Sequence, residues 1–142
     1  MTIAFTILGE CASKANSRQI VKIAGKTRSI KSDKALAYVN SVQRQIPPAA
    51  RQMLDKPVSV TLVMWYASER PDLDESALLD ALQATYVRMP KQPGEKVGQR
   101  VLTRRGVIVN DRQVREKHVH HRIDRKNPRV DVYVSLIEDT TA

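Results

Sequence analysis

The sequence predicts an α+β fold: a mixed β-sheet with helices packed on it, in a single domain spanning 1–142. Three observations predict it. Short runs of alternating apolar residues recur along the chain, two other segments repeat apolar residues at spacings of three and four, and hairpin-type turns separate several of the runs. At 142 residues and 42% hydrophobic, the chain is long enough and apolar enough to bury a core. With aromatics at only 4%, that core must be mainly Val, Leu, Ile and Ala.

Ile3 to Leu8 reads as the first strand. Residues 9–17 are small and polar, hence a loop. Arg18 to Ile30 reads as a hairpin, with residues 19–23 on one side, residues 27–30 on the other and Gly25-Lys26 at the turn. Ser32 suits an N-cap, and Asp33 falls in the positive first turn of a helix. Leu36, Val39, Val42 and Ile46 give that helix one apolar face, and Pro47-Pro48 ends it. Val58 to Tyr66 is the clearest strand, with Val58, Val60, Leu62 and Met64 alternating against Ser59, Thr61 and Val63.

A second helix follows through Leu78, Leu79, Leu82 and Tyr86. Residues 88–106 carry Arg88, Lys91, Lys96, Arg100, Arg104 and Arg105 among prolines and glycines, and read as a basic loop insertion. Val107 to Val109 is a short strand ending at Asn110-Asp111. Val114 to Ile123 and Val130 to Leu136 are the last two strands. The expected order is β-β-β-α-β-α-β-β-β.

The charge narrows the class of partner. The formal net charge is +9, from 24 Lys plus Arg against 15 Asp plus Glu. That favours an anionic partner, nucleic acid first. No long basic amphipathic helix supports a membrane surface instead. Cys11 is the only cysteine, which excludes an intrachain disulfide and a multi-cysteine zinc site and suggests a reducing compartment. Residues 1–8 are too short and lack the basic start of a signal peptide. A cytoplasmic protein with no membrane span is the expectation.

Within this basic chain, Asp72-Leu73-Asp74 stands out, at the end of a strand and the start of a helix. Two neighbouring carboxylates repel unless a cation neutralises them. Such a pair caps a helix, or it holds a hard divalent ion together with phosphate oxygens. Asp111 ends another short strand. If that strand lies beside Val58–Tyr66, Asp72, Asp74 and Asp111 converge as metal ligands. Asp80, further along the helix, is a fourth acidic candidate, and a structural role such as pairing with an arginine is favoured over catalysis. His118 and His120 share a strand face while His121 points away; a two-His metal site is the lesser reading beside hydrogen bonding or backbone contact on a basic strand. Basic residues suited to phosphate contact are Lys14, Arg18, Lys22, Lys26 and Arg28, then Arg112, Arg115 and Lys117, with Asn16 in the same polar loop as Lys14.

Read together, Asp72-Leu73-Asp74, then Leu78-Leu79-Asp80-Ala81-Leu82-Gln83, then Val109-Asn110-Asp111-Arg112-Gln113-Val114 resemble the RusA-type Holliday-junction resolvases. The resemblance covers most of the chain outside residues 88–106. It implies a homodimeric, Mg²⁺-dependent endonuclease (Mn²⁺ as a substitute) that nicks four-way DNA junctions symmetrically, with Asp72, Asp74 and Asp111 as metal-binding carboxylates. Four departures stand in the motifs. Glu75 occupies the place of an Asn, Asn110 replaces an Asp, the segment between Asp74 and Asp80 is two residues short, and no Lys or Arg occurs between Glu75 and Leu82, where the family carries a lysine. These departures motivate an alternative: a non-catalytic DNA-binding relative. A metal-nucleotide sugar transferase using Asp-x-Asp is a distant third, disfavoured by the short chain and basic charge.

Overall fold

Val58, Val60, Leu62, Met64 and Tyr66 set the architecture. In the computed structural model, which describes residues 2–13 and 18–137, all five side chains are buried on one face of a central strand. The strands in chain order are β1 (Thr2–Leu8), β2 (Arg18–Ile23), β3 (Lys26–Lys31), β4 (Val58–Tyr66), β5 (Thr85–Arg88), β6 (Arg100–Arg104), β7 (Val114–Ile123) and β8 (Arg129–Leu136). The helices are α1 (Asp33–Gln45) and α2 (Ser76–Leu82), with 3₁₀ turns at Pro48–Ala50 and Asp111–Gln113.

The main sheet has the order β1-β8-β4-β7. β8 runs antiparallel to β1 and to β4, whereas β4 and β7 are parallel. The sheet is therefore mixed, as the sequence predicts. Register aligns the apolar faces: Leu62 pairs with Val132 on one side and Val119 on the other, and Phe5 pairs with Val132 from β1. Both helices bury their apolar residues in the core under this face, Ala35, Tyr38 and Val42 from α1 and Ala77, Leu78, Ala81 and Leu82 from α2. Each large aliphatic side chain buried there contributes about 1.5–3 kcal/mol. Among the described residues, no helix is long and apolar enough to cross a membrane.

Local signals at the start of α1 act as read. The Ser32 hydroxyl oxygen accepts a hydrogen bond from the Ala35 amide at 3.1 Å, a cap worth about 1 kcal/mol. The apolar stripe is rotated from the expected one. Leu36 is 47% exposed, and Ala35 and Tyr38 take the inward positions. The first hairpin turns at Ala24-Gly25, with φ of 51° and 78°, rather than at Gly25-Lys26. Two successive positive φ values match the twist of the flanking strands, as type I′ hairpin turns do.

Three other expectations change. α2 ends at Leu82 and does not reach Tyr86, which lies in β5 opposite Leu102. Thr85 and Val87 are β-branched and Tyr86 is aromatic, so this stretch favours a strand once a partner is present. That partner comes from the segment expected to be a loop. Residues 88–106 contain all of β6, and β5 and β6 pair as a hairpin closed by residues 89–99. β6 is exposed on both faces, so it carries no alternating pattern for the sequence to reveal. Val107 to Val109 is not a strand of the sheet. Ile108 bridges both Leu54 and Gln83, and the backbone on either side bonds to Met53, Leu54, Leu82 and Ala84.

Gly106 lies in this tight crossing. A Cβ built there would stand 2.5 Å from the Ala84 nitrogen and 2.7 Å from the Ile108 oxygen, both backbone atoms that cannot swing aside. Gly106→Ala is expected to lower stability by about 2–3 kcal/mol, read as a shift in the denaturation midpoint. An unchanged midpoint would show that residues 83–84 and 106–108 do not approach this closely.

Candidate active site

Beyond Tyr66 the chain leaves the sheet and folds back along it. Lys117 of β7 is the register partner of Val60, six residues back along β4 from Tyr66. Yet the Lys117 ammonium donates to Glu75 Oε1 at 2.7 Å. Residues 67–75 therefore return over the β7 side of the sheet before α2 begins. Leu73 packs on the core and anchors the turn, while Asp72 is exposed beside it. Asp74 Oδ1 accepts from both the Ser76 amide at 3.0 Å and the Ser76 hydroxyl at 2.7 Å. Asp74 thus satisfies the first amide of α2 from the residue before its N-cap, Glu75. The Cys11 thiol donates to the Asp74 carbonyl oxygen at 3.6 Å and ties the turn to the end of β1.

Cations reach this segment from other elements. α2 has no lysine or arginine of its own, but Lys31 at the end of β3 pairs with Asp80, and Lys117 pairs with Glu75. Asp80 thus has the structural kind of ion pair expected of it, with a lysine in place of an arginine. The hydrogen bond from Lys117 holds the Glu75 carboxyl below its ordinary value, against the opposing effect of burial. Glu75 thus orients the Lys117 ammonium.

Asp111 opens the 3₁₀ turn after Asn110. The Asn110 side chain accepts from the Arg112 amide at 2.9 Å, and Gln113 Oε1 accepts from the Asn110 amide at 2.8 Å. Gln113 Nε2 also donates to the carbonyls of Leu54 and Lys56, fixing the turn against the chain that enters β4. Position 110 needs only an acceptor oxygen, which Asn supplies as well as Asp. The Asp111 amide donates to Gln83 Oε1 at 3.1 Å, so Asp111 stands at the C-terminal end of α2.

Asp72 and Asp74 precede the N-terminal end of that helix, which at seven residues is about 10 Å long. The expected convergence rested on a strand at 107–109 lying beside β4. The strands beside β4 are β8 and β7, and the start of β7 lies next to Val58, at the far end of β4 from Tyr66. Among the described residues, no three His, Cys, Asp or Glu side chains form a group arranged to hold a metal.

The remaining residues singled out from sequence divide in four. Arg18, Lys22, Lys26 and Arg28 are exposed on the β2–β3 hairpin, where Arg18 donates to the Ser29 carbonyl at 2.7 Å. Arg112, Arg115 and Lys117 are exposed at the start of β7, an edge strand of the main sheet. Lys14 and Asn16 lie outside the described residues. On β7, His121 stacks on Tyr66 at 4.8 Å on the helix-covered face, opposite to His118 and His120.

Sequence reasoning missed the group behind the acidic turn. A cleft of about 470 Å³ lies between Glu10, Cys11, Lys34, Tyr38 and Pro71, next to Asp72. Burial pushes the Cys11 thiol up to about 12 and raises the Tyr38 and Tyr66 hydroxyls in the same direction. The one available signal was Tyr38 itself, spaced four from Val42 on the helix. Nothing in sequence joins Cys11 to either tyrosine.

No protein-family model matches the chain. No curated protein sequence matches it either. The geometry of the site therefore carries the functional reading.

Two outcomes follow from these environments. At pH 8 the folded protein should leave Cys11 protonated and nearly inert to a thiol reagent, with full reaction on denaturation. Labelling of native protein at the rate of a free cysteine would contradict its burial. Because Glu75 is depressed in the folded state, its contribution is present above the ordinary glutamate pKa of about 4.3 and fades as pH falls through the lower folded value. Glu75→Gln should cost less than about 1 kcal/mol at pH 7, given the exposure of both partners, and the difference from wild type should close in acid. A constant difference from pH 7 to pH 2 would show that the ion pair is not its source.

Proposed function

We propose that this chain is a divalent-metal-dependent endonuclease that nicks branched DNA. The carrying observation is the acidic turn at Asp72-Leu73-Asp74, folded back so that Lys117 stands beside it, on a protein of net charge +9. The donor set fits a hard divalent ion: carboxylate oxygens on a turn whose first aspartate is exposed, with positions left for water and phosphate oxygens. Asp72 and Asp74 would hold Mg²⁺ or Mn²⁺, and Asp111 would be the third carboxylate. The ion, when bound, supplies Lewis acidity and neutralises charge at the scissile phosphate.

The chain's own residues have distinct tasks in this reading. Leu73 and the Ser76 hydrogen bonds keep Asp72 and Asp74 in a fixed turn. Lys117, oriented by Glu75, stabilises the negative charge that develops on phosphate, the task of the lysine missing from α2. Arg18, Lys22, Lys26 and Arg28 on the hairpin, with Arg112 and Arg115, hold flanking phosphates. Lys14 and Asn16 belong to the same proposal from sequence alone. A homodimer would present two such sites to opposed strands of a four-way junction. A reducing, cytoplasmic setting suits a chain whose single cysteine is buried.

The position of Asp111 at the opposite end of α2 favours a second reading, a DNA-binding protein without nuclease activity. One assay separates the two. Wild-type protein should nick a synthetic four-way junction only when Mg²⁺ or Mn²⁺ is present, and should spare linear duplex. Asp72→Asn should lower the rate by at least about 10²-fold while junction binding persists. Binding without metal-dependent nicking of any branched or flapped substrate would establish the second reading. Wild-type nicking by the Asn variant would remove Asp72 from the site.

A further inference from the structure

Two arginines far apart in sequence meet at the C-terminal end of α1 without a carboxylate between them. Arg51 donates to the Arg105 carbonyl at 3.0 Å and to the Gln43 carbonyl. Arg104 donates to the Gln43 side-chain oxygen at 2.6 Å, and the Gln43 amide nitrogen reaches the Thr85 hydroxyl at 3.5 Å. One glutamine therefore holds both guanidinium groups, through its main chain and through its side chain. All the acceptors are neutral. Among the described residues, neither arginine is ion-paired with a carboxylate. Burial, and next the charge of Arg104, hold Arg51 below the ordinary arginine value, as expected of two cations at close quarters.

Part of this arrangement is structural. Gln43 lies in the last turn of α1, whose final carbonyls lack helical partners, and Arg51 satisfies one of them. That does not explain Arg104. It is exposed on β6 and needs no partner to satisfy its charge, yet its guanidinium is fixed next to a second cation. Arg44 and Arg105 are exposed on the same chain segments and raise the local positive charge further. Fixed guanidinium forks without counter-charge are suited to phosphate, which can take two parallel N–H donors from one arginine and share the charge of both.

We propose that Arg51 and Arg104 form a phosphate-binding site for the backbone of bound DNA, outside the acidic turn and outside the β2–β3 hairpin. It rests on the nucleic-acid part of the functional reading and not on catalysis. The site anchors a strand where α1 ends and the β5–β6 hairpin begins. Gln43 is the positioning residue that fixes both forks.

The test measures binding of a four-way junction in EDTA, so that nicking plays no part, over a series of NaCl concentrations. Each phosphate contact contributes about 0.9 to the slope of log K against log salt. Arg104→Gln should flatten that slope by about one unit and weaken binding about tenfold at fixed salt, with the melting temperature unchanged. Lys56→Gln, which removes the same charge from an exposed position outside the pair, should leave the slope unaltered. An unchanged slope in Arg104→Gln, or an equal loss in Lys56→Gln, would overturn the site while leaving DNA binding in place. If wild-type protein binds no junction at all, the nucleic-acid reading falls with it. A third arm uses inorganic phosphate alone. Thermal stabilisation lost in Arg104→Gln, without any change in the DNA slope, would assign the pair to a free anion and overturn the DNA proposal.

Discussion

The parallel pairing of β4 with β7 is the constraint on which the rest of the molecule depends. Parallel neighbours need a crossover, because the chain must return to the starting end of the sheet before it can pair again. Residues 67–113 make that return. They contain the acidic turn, α2, the β5–β6 hairpin and the Asn110–Gln113 turn. Everything proposed for catalysis is carried on this connection or on the strand it delivers. The pairing decides that Lys117 stands beside Glu75, and it places Asp111 at the other end of α2 from Asp72 and Asp74.

Packing holds this geometry with little help from charge. The inward residues of β4, β8 and β1 are buried, and the inward faces of both helices close over them. The ion pairs at Lys117–Glu75 and Lys31–Asp80 are partly exposed and contribute modestly to stability. Their value is positional: they bring ammonium groups to an acidic segment whose own helix has none. The acidic turn and α2 thus receive one lysine each, from β7 and from β3.

Strands with one buried face were legible in the sequence because burial imposes alternation. Val58–Tyr66 and Val114–Ile123 have the bounds that were expected, and the Ser32 cap is in place. The errors share a physical cause. β6 is exposed on both faces, so its residues carry no periodic signal, and basic composition alone suggested a loop. Tyr86 continued a helical spacing by coincidence while its neighbours favoured a strand. Residues 107–109 looked like a strand because they are apolar, yet they are buried by crossing between residues 53–54 and 82–84 rather than by joining the sheet. The arrangement of the proposed site residues was not readable. No local pattern announces that β4 will pair with β7, and the positions of Lys117 and Asp111 both follow from that pairing.

The proposed divalent-ion site is the turn at Asp72-Leu73-Asp74, and Asp111, at the other end of α2, is its proposed third carboxylate. The most direct measurement is the paramagnetic broadening of backbone amide signals by Mn²⁺, with the junction bound and without it. Selective broadening of residues 72–76 together with 111–113, removed by excess Mg²⁺, is the expected result. Broadening confined to other acidic positions, or none at all with DNA bound, would contradict it.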